Sequence, residues 1–232
     1  MSHFSVLVLT TDESPSVDEL LDPYCESNTC APHIEYTKQE AIDYVRKHYP
    51  DFTDKSDEEC WKFMAEGFIT DKQGNIYSTA NPDGRWDWYE KGGRWKDFLR
   101  LKDGTRATSA KLKDIDFGPD ETAYKYSLRF WDLLIENKPL ESGEEMPFSL
   151  YKPEYYKELY GNRENYAKRQ AGFYTFAVIT PNGIWYEKGQ CGWFGCSSET
   201  AEESREWEEN FIKNFINDED GDTVATIVDC HI

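Results

Sequence analysis

The sequence predicts an α+β fold whose first and last strands share one antiparallel sheet, with a long aromatic-rich middle inserted between them. Two observations lead there. Residues 3–10, His-Phe-Ser-Val-Leu-Val-Leu-Thr, are apolar on both faces, the pattern of a central strand covered on both sides. Residues 223–232 form a second apolar terminal run, and each run adjoins a helix opened by a capping box, Ser16-x-x-Glu19 at the front and Thr200-x-x-Glu203 at the back.

The elements between follow from local signals. Thr37-x-x-Glu40 opens a helix that runs to about His48 before Pro50, and Ser56-x-x-Glu59 opens another with Trp61, Met64 and Ala65 inward. Residues 68–70 and 75–78 flank Asp71-Lys72-Gln73-Gly74 as a hairpin, and a strand at 97–101 meets an Asp103-Gly104 turn. A helix spans 122–136, with Tyr124, Leu128, Trp131, Leu134 and Ile135 inward. A loop over 139–149 and two tyrosine-rich helices near 153–160 and 162–170 come next. Strands at 173–180 and 184–188 are joined through Asn182-Gly183, and Trp207, Phe211 and Phe215 set the buried stripe of the last helix. The ends therefore read β-α and β-β-α-β, which together resemble a ferredoxin-like sheet. The 232 residues are expected to form a single domain, with 50–172 as an insertion or subdomain.

Composition limits the function classes. Aromatics make up 16% of the chain, which argues for a packed core despite only 38% hydrophobic residues. There is no apolar run of membrane-spanning length, and Met1-Ser2-His3-Phe4 lacks the basic start of a signal peptide, so a cytoplasmic protein with no membrane association is expected. The net charge is −19, from 45 acidic and 26 basic residues, which disfavours long nucleic acid and anionic lipid. A small ligand at a local basic patch fits this charge, and so does a basic protein met by a nucleic-acid-like acidic surface. Ten acids against two bases between Glu199 and Asp222 are either such a surface or a solvated helix face. The six cysteines, including C-x4-C pairs at Cys25/Cys30 and Cys191/Cys196, read as reduced thiols and not as a zinc site.

Three constellations carry chemistry. If residue 3 lies opposite residue 231 in an antiparallel pair, His3, Ser5, Asp229 and His231 share one face, followed by Leu7, Leu9 and Ile227 as core. Two adjacent imidazoles can act as general acid and base near neutral pH, and Asp229 can orient one of them; this needs no metal and no cofactor. The second constellation is the stretch 85–113. Its nine basic and four acidic residues make it locally +5. Trp86, Trp88, Tyr89 and Trp95 offer faces for bases, Gly92 and Gly93 let backbone N–H groups approach an anion, and Arg94 can pair with phosphate. The tryptophans could equally fill the core, as alternation puts Trp86 and Trp88 on one face. The third is Gly192-Trp193-Phe194-Gly195, where Trp193 serves as a lid over a ligand or anchors a tight connection.

The opening Met1–Val8, the block Trp86-Asp87-Trp88-Tyr89-x-x-Gly92-Gly93-Arg94-Trp95 and the ending Ile227–Ile232 together resemble a protein family carried by phages and prophages. The resemblance implies a viral accessory role in the host cytoplasm, of which counter-defence is a common form. His3-Phe4-Ser5 also resembles the H-x-S/T element of the 2H phosphoesterases, which carry two copies on paired strands; here no hydroxyl residue follows His231. The expected function is metal-independent cleavage of a phosphodiester in a small nucleotide or RNA, with a cyclic oligonucleotide defence signal as the candidate substrate. The alternatives are a non-catalytic protein that sequesters such a nucleotide, and an acidic decoy that occupies a basic host defence protein.

Overall fold

A computed structural model describes residues 2–191 and 197–232. In chain order the elements are strand β1 (His3–Thr10), helix α1 (Val17–Leu21), strand β2 (Thr29–Tyr36), helices α2 (Lys38–His48) and α3 (Asp57–Ala65), and strands β3 (Ile69–Thr70), β4 (Ile76–Ala80) and β5 (Trp88–Lys91). Strands β6 (Leu99–Arg100), β7 (Arg106–Ala107) and β8 (Ser109–Lys111) precede helices α4 (Glu121–Leu134), α5 (Pro153–Tyr160) and α6 (Arg163–Ala171). The chain finishes with strands β9 (Ala177–Ile179) and β10 (Trp185–Glu187), helix α7 (Ala201–Phe215) and strand β11 (Val224–His231). All four expected capping boxes form: Ser16, Thr37, Ser56 and Thr200 each accept the N–H of a glutamate three residues on, and that glutamate returns to the cap backbone.

Two compact units result. One holds residues up to 22 and from 88 onward; the other is residues 23–87. β5 and β8, inside the range 50–172 expected as an insertion or subdomain, hydrogen-bond to β11 and so belong to the main sheet. Their strand character is hidden in the sequence because each is short and rich in charged or small residues.

In the larger unit the sheet order is β10-β9-β1-β11-β5, with β8 also on β11. The terminal strands pair antiparallel over their full length, His3 opposite His231, Leu7 opposite Ile227 and Thr10 opposite Val224, which is the register expected from the sequence. The sheet is mixed and not wholly antiparallel. β1 and β9 run parallel, Val6–Val8 against Ala177–Ile179, while β10 folds back on β9. The first strand of the 177–187 hairpin therefore lies beside β1, so the long crossover closes an adjacent parallel pair. Ala177–Ile179, buried throughout, takes the inner position and the less buried Trp185–Glu187 the edge.

Alternation divides β1 and β11 between two faces. Leu7, Leu9, Val178, Ala225 and Ile227 join Leu99, Leu112, Ile115, Phe211 and Ile216 in one buried cluster under α7. The other face buries Phe4, Val6, Val8, Ala177, Ile179, Val228 and Cys230. Helices α4 and α6 carry their own cluster of Phe130, Trp131, Ile135 and Tyr166, edged by Tyr156 and Tyr160.

The smaller unit is a β2-β4-β3 sheet beside α2 and α3, whose Ile42, Val45 and Cys60 form its buried centre with Trp61 and Met64 packed on them. The β3–β4 hairpin forms where expected, with Asp71 accepting the N–H groups of Gln73 and Asn75. Among the described residues no helix is long and apolar enough to cross a membrane.

Phe211 is wholly buried and its ring meets Phe173, Trp207 and Phe215. Phe211→Ala should lower the unfolding free energy by about 3–5 kcal/mol, the usual range for removing a core phenylalanine. Urea denaturation reads this directly. A change below about 1 kcal/mol would show that α7 is not what covers this face of the sheet.

Candidate active site

Three adjacent strands bring the site together. The β1–β11 register sets His3 opposite His231 and Ser5 opposite Asp229. On the far side of β11, β5 sets Trp88 opposite His231 and Glu90 opposite Asp229. Opposed residues share a face, so the two histidines and Trp88 form a row across the sheet end. The His3 and His231 ring centroids are 5.0 Å apart, edge to face. Trp88 stacks on His231 at 5.1 Å with an 18° interplanar angle and meets the His3 ring edge at 5.4 Å.

Asp229 holds this row in place. Its side chain is 3% exposed, and Oδ1 accepts a hydrogen bond from His3 Nδ1 at 2.8 Å. A carboxylate only accepts, so the proton of a neutral His3 ring sits on Nδ1 and the lone pair on Nε2. The other carboxylate oxygen accepts the Arg94 backbone N–H at 2.9 Å. Both bonds are charge-assisted, and such bonds contribute about 1.5–3 kcal/mol each.

The Gly92–Gly93 pair makes the second bond possible. Gly92 adopts φ +82° and donates its N–H to the Ile227 carbonyl at 2.8 Å, which pins the turn against β11. Gly93 has φ +47°, and a Cβ on it would lie 2.5 Å from Asp229 Cβ and Oδ2. The sequence suggested that this backbone approaches an anion. The anion it meets in the structure is the chain's own Asp229.

The remaining expected site residues separate. Ser5 accepts the Phe176 backbone N–H at 3.2 Å, which ties its hydroxyl to the start of β9. Trp88 is 44% exposed at the histidine pair. Tyr89 points to the opposite face, where its hydroxyl donates to Asp18 at 2.5 Å. Partial burial and that hydrogen bond push the phenol up to about 12, while Tyr89 and Lys91 together hold the Asp18 carboxyl below its ordinary value. Trp95 packs against the large core cluster. Trp86 belongs to the smaller unit, where it is buried and bridges Cys25, so alternation does not carry from Trp86 to Trp88. Trp193 lies outside the described residues. Glu90, two residues along β5 from Trp88, brings an exposed carboxylate to the site face; the period-two pattern of β5 is the signal that would have found it.

Much of the basic island is occupied internally. Lys91 pairs with Asp18 at 3.0 Å, Arg100 with Asp116 at 3.1 Å, and Arg106 with Asp120 at 3.1 Å. Lys111 and Lys113 both reach Asp222 at 2.7 Å, and their hydrogen bonds hold its carboxyl down at about 2. The side chains of Arg94 and Lys96 are exposed and make no ion pair with the described residues. Of these two, Arg94 has its main chain directly on Asp229.

A separate cavity of about 940 Å³ is lined by Tyr160, Lys168, Arg169, Arg205 and Glu208. Its buried cation is already satisfied: Arg169 Nε binds Glu208 at 2.6 Å and its guanidinium lies 4.6 Å from the Tyr160 ring centre. An incoming anion would have to compete with that buried carboxylate. Comparison with protein-family models, curated proteins and solved structures finds no match to this chain.

Asp229→Asn should test the holding role. A carboxamide offers one acceptor and one donor group, so it cannot accept from both His3 and Arg94. His3 should switch to the Nε2-protonated tautomer, visible in imidazole nitrogen chemical shifts, with a stability loss of about 1–3 kcal/mol. An unchanged His3 tautomer would remove Asp229 from that role. Gly93→Ala should displace the Asp229 carboxylate and shift the His3 ring resonances, whereas Gly104→Ala, at a turn with open space around it, should leave them in place.

Proposed function

We propose that the His3–His231 pair is the acid–base centre of a metal-independent phosphodiesterase acting on a small nucleotide. One observation carries the reading: a histidine fixed by a buried aspartate stands with its ring 5.0 Å from a second histidine, at the end of the two central strands. In cleavage by an internal 2′-hydroxyl, one imidazole removes the hydroxyl proton as the 2′-oxygen bonds to phosphorus. The other protonates the leaving 5′-oxygen as its bond to phosphorus breaks. His3, with its lone pair on Nε2, suits the base, and His231 suits the acid.

Negative charge builds on the phosphoryl oxygens during this step and needs a cation or N–H groups aimed at it. Arg94 is our candidate for that cation: its backbone N–H binds Asp229, and its exposed guanidinium makes no ion pair with the described residues. The half-exposed Trp88 ring offers a stacking face for a base. A net charge of −19 favours a small substrate over a polymer. A cyclic oligonucleotide fits this size and charge, in keeping with the phage-type accessory role that the sequence resemblance implies. One observation favours a second reading, a protein that holds the nucleotide without cleaving it: His231 is only 4% exposed and lies under Trp88, which narrows access to its ring.

A panel of cyclic and linear oligoribonucleotides, followed by chromatography of products and by calorimetry, separates the two. His3→Ala and His231→Ala, shown folded by thermal melting, should each lower turnover by about 10²–10⁴ while binding stays within about tenfold. EDTA should have no effect on turnover. Arg94→Ala should weaken binding about tenfold to a hundredfold, from loss of a bond worth roughly 1.5–3 kcal/mol. Binding without turnover selects the sequestering reading. No binding to any member of the panel overturns both.

A further inference from the structure

The smaller unit carries a second cluster of reactive groups on β2. Cys30, His33 and Glu35 lie within six residues, and in a regular strand Cys30 and His33, three apart, would face opposite sides. They do not, because the β2–β4 ladder shifts register between Thr29 and His33: Thr29 is opposite Ala80 and His33 opposite Ser78, so four residues of β2 run against two of β4. Pro32 sits inside that bulge and has no N–H to give to a ladder. Bulges of this kind re-aim side chains.

The outcome is a thiol–imidazole–carboxylate line. Cys30 Sγ is 3.3 Å from His33 Nδ1, and His33 Nε2 is 3.3 Å from a Glu35 carboxylate oxygen. With the ring proton on Nε2, the side of Glu35, Nδ1 presents its lone pair to the thiol. When the proton moves from sulfur to Nδ1, Glu35 stabilises the imidazolium and a nucleophilic thiolate remains. The thiol also lies 3.2 Å from the Ala80 carbonyl, which accepts its proton in the resting state. The group is accessible, since His33 and Glu35 side chains are 31% and 39% exposed and Cys30 is half-buried. By contrast Cys25, Cys60 and Cys230 are buried, Cys60 donates to the Phe52 carbonyl, and burial pushes the Cys230 thiol up. Cys30, by contrast with these buried thiols, has its sulfur against a histidine nitrogen.

We propose that Cys30, His33 and Glu35 form an activated-thiol site that exchanges with low-molecular-weight disulfides. The Cys30 thiolate attacks one sulfur of the disulfide R–S–S–R, a Cys30–S–S–R bond forms, and the original S–S bond breaks. The thiolate R–S⁻ departs and takes its proton from the His33 imidazolium. The disulfide is the oxidant: Cys30 is oxidised as the leaving sulfur of R–S–S–R is reduced to R–S⁻. Glu35 at the far side of the His33 ring, on a chain of net charge −19, favours cationic over anionic disulfides.

The test uses the full-length protein with excess cystamine, a cationic disulfide, and separately with glutathione disulfide, an anionic one. Each cysteine is followed by peptide mass mapping at neutral pH. Cys30 should be modified first, about tenfold faster than the thiol of free glutathione, and faster by cystamine than by glutathione disulfide. His33→Asn should slow Cys30 by about tenfold and Glu35→Gln by a few-fold, both with unchanged melting, since the exchange rate follows the thiolate fraction. If His33→Asn does not fold, Glu35→Gln carries the comparison. The proposal is overturned if Cys30 reacts no faster than the free thiol, or if a folded His33→Asn or Glu35→Gln leaves its rate unchanged.

Discussion

The pairing of β1 with β11 is the constraint on which the rest of the larger unit depends. Its register places Leu7, Leu9, Ala225 and Ile227 under α7 and, two residues further along the same face, Ser5, Asp229 and the two histidines. A slip of one residue would expose that apolar row and send the histidine pair to the opposite side. Core and site are thus set by one alignment: the apolar half holds it in place, and the polar half takes its position without having to provide the stability.

Asp229 is the polar counterpart of that alignment. Its two carboxylate oxygens join β1, through the His3 ring, to the turn after β5, through the Arg94 N–H. A buried carboxylate left without donors would destabilise the fold, so the partners and the acid are mutually required. Gly93 is required for the same reason, since any side chain there would occupy the space of the carboxylate. The surrounding acidity has a matching consequence. Acids on other elements neutralise most of the basic island, and Arg94, whose main chain binds Asp229, keeps a guanidinium outside any ion pair with the described residues.

Much of the architecture was legible along the chain. Capping boxes located α1, α2, α3 and α7 because the cap chemistry is local, and the two terminal strands were visible because burial on both faces leaves a continuous apolar run. The terminal register follows once His3 is set opposite His231, an alignment that puts the apolar residues of both strands on a common face. Strands β2, β5 and β8 were not legible. Their burial is partial and their residues are polar, so their extended form is imposed by a neighbour already in place. The order of β9 and β10 was not legible either.

The sequence by itself determined the capped helices, the pairing of the first and last strands, and the sharing of one face by His3, Ser5, Asp229 and His231. These follow from spacing and alternation, which are properties of neighbours in the chain. Tertiary structure alone decided that Trp88 lies on His231 while Tyr89 and Trp95 turn to other tasks, and that the Gly92–Gly93 backbone meets Asp229. It also decided that a bulge turns Cys30 toward His33. Each of these depends on which strand lies beside which and where a ladder loses register. Such information sits in hydrogen bonds between residues far apart in sequence, and no local pattern encodes it.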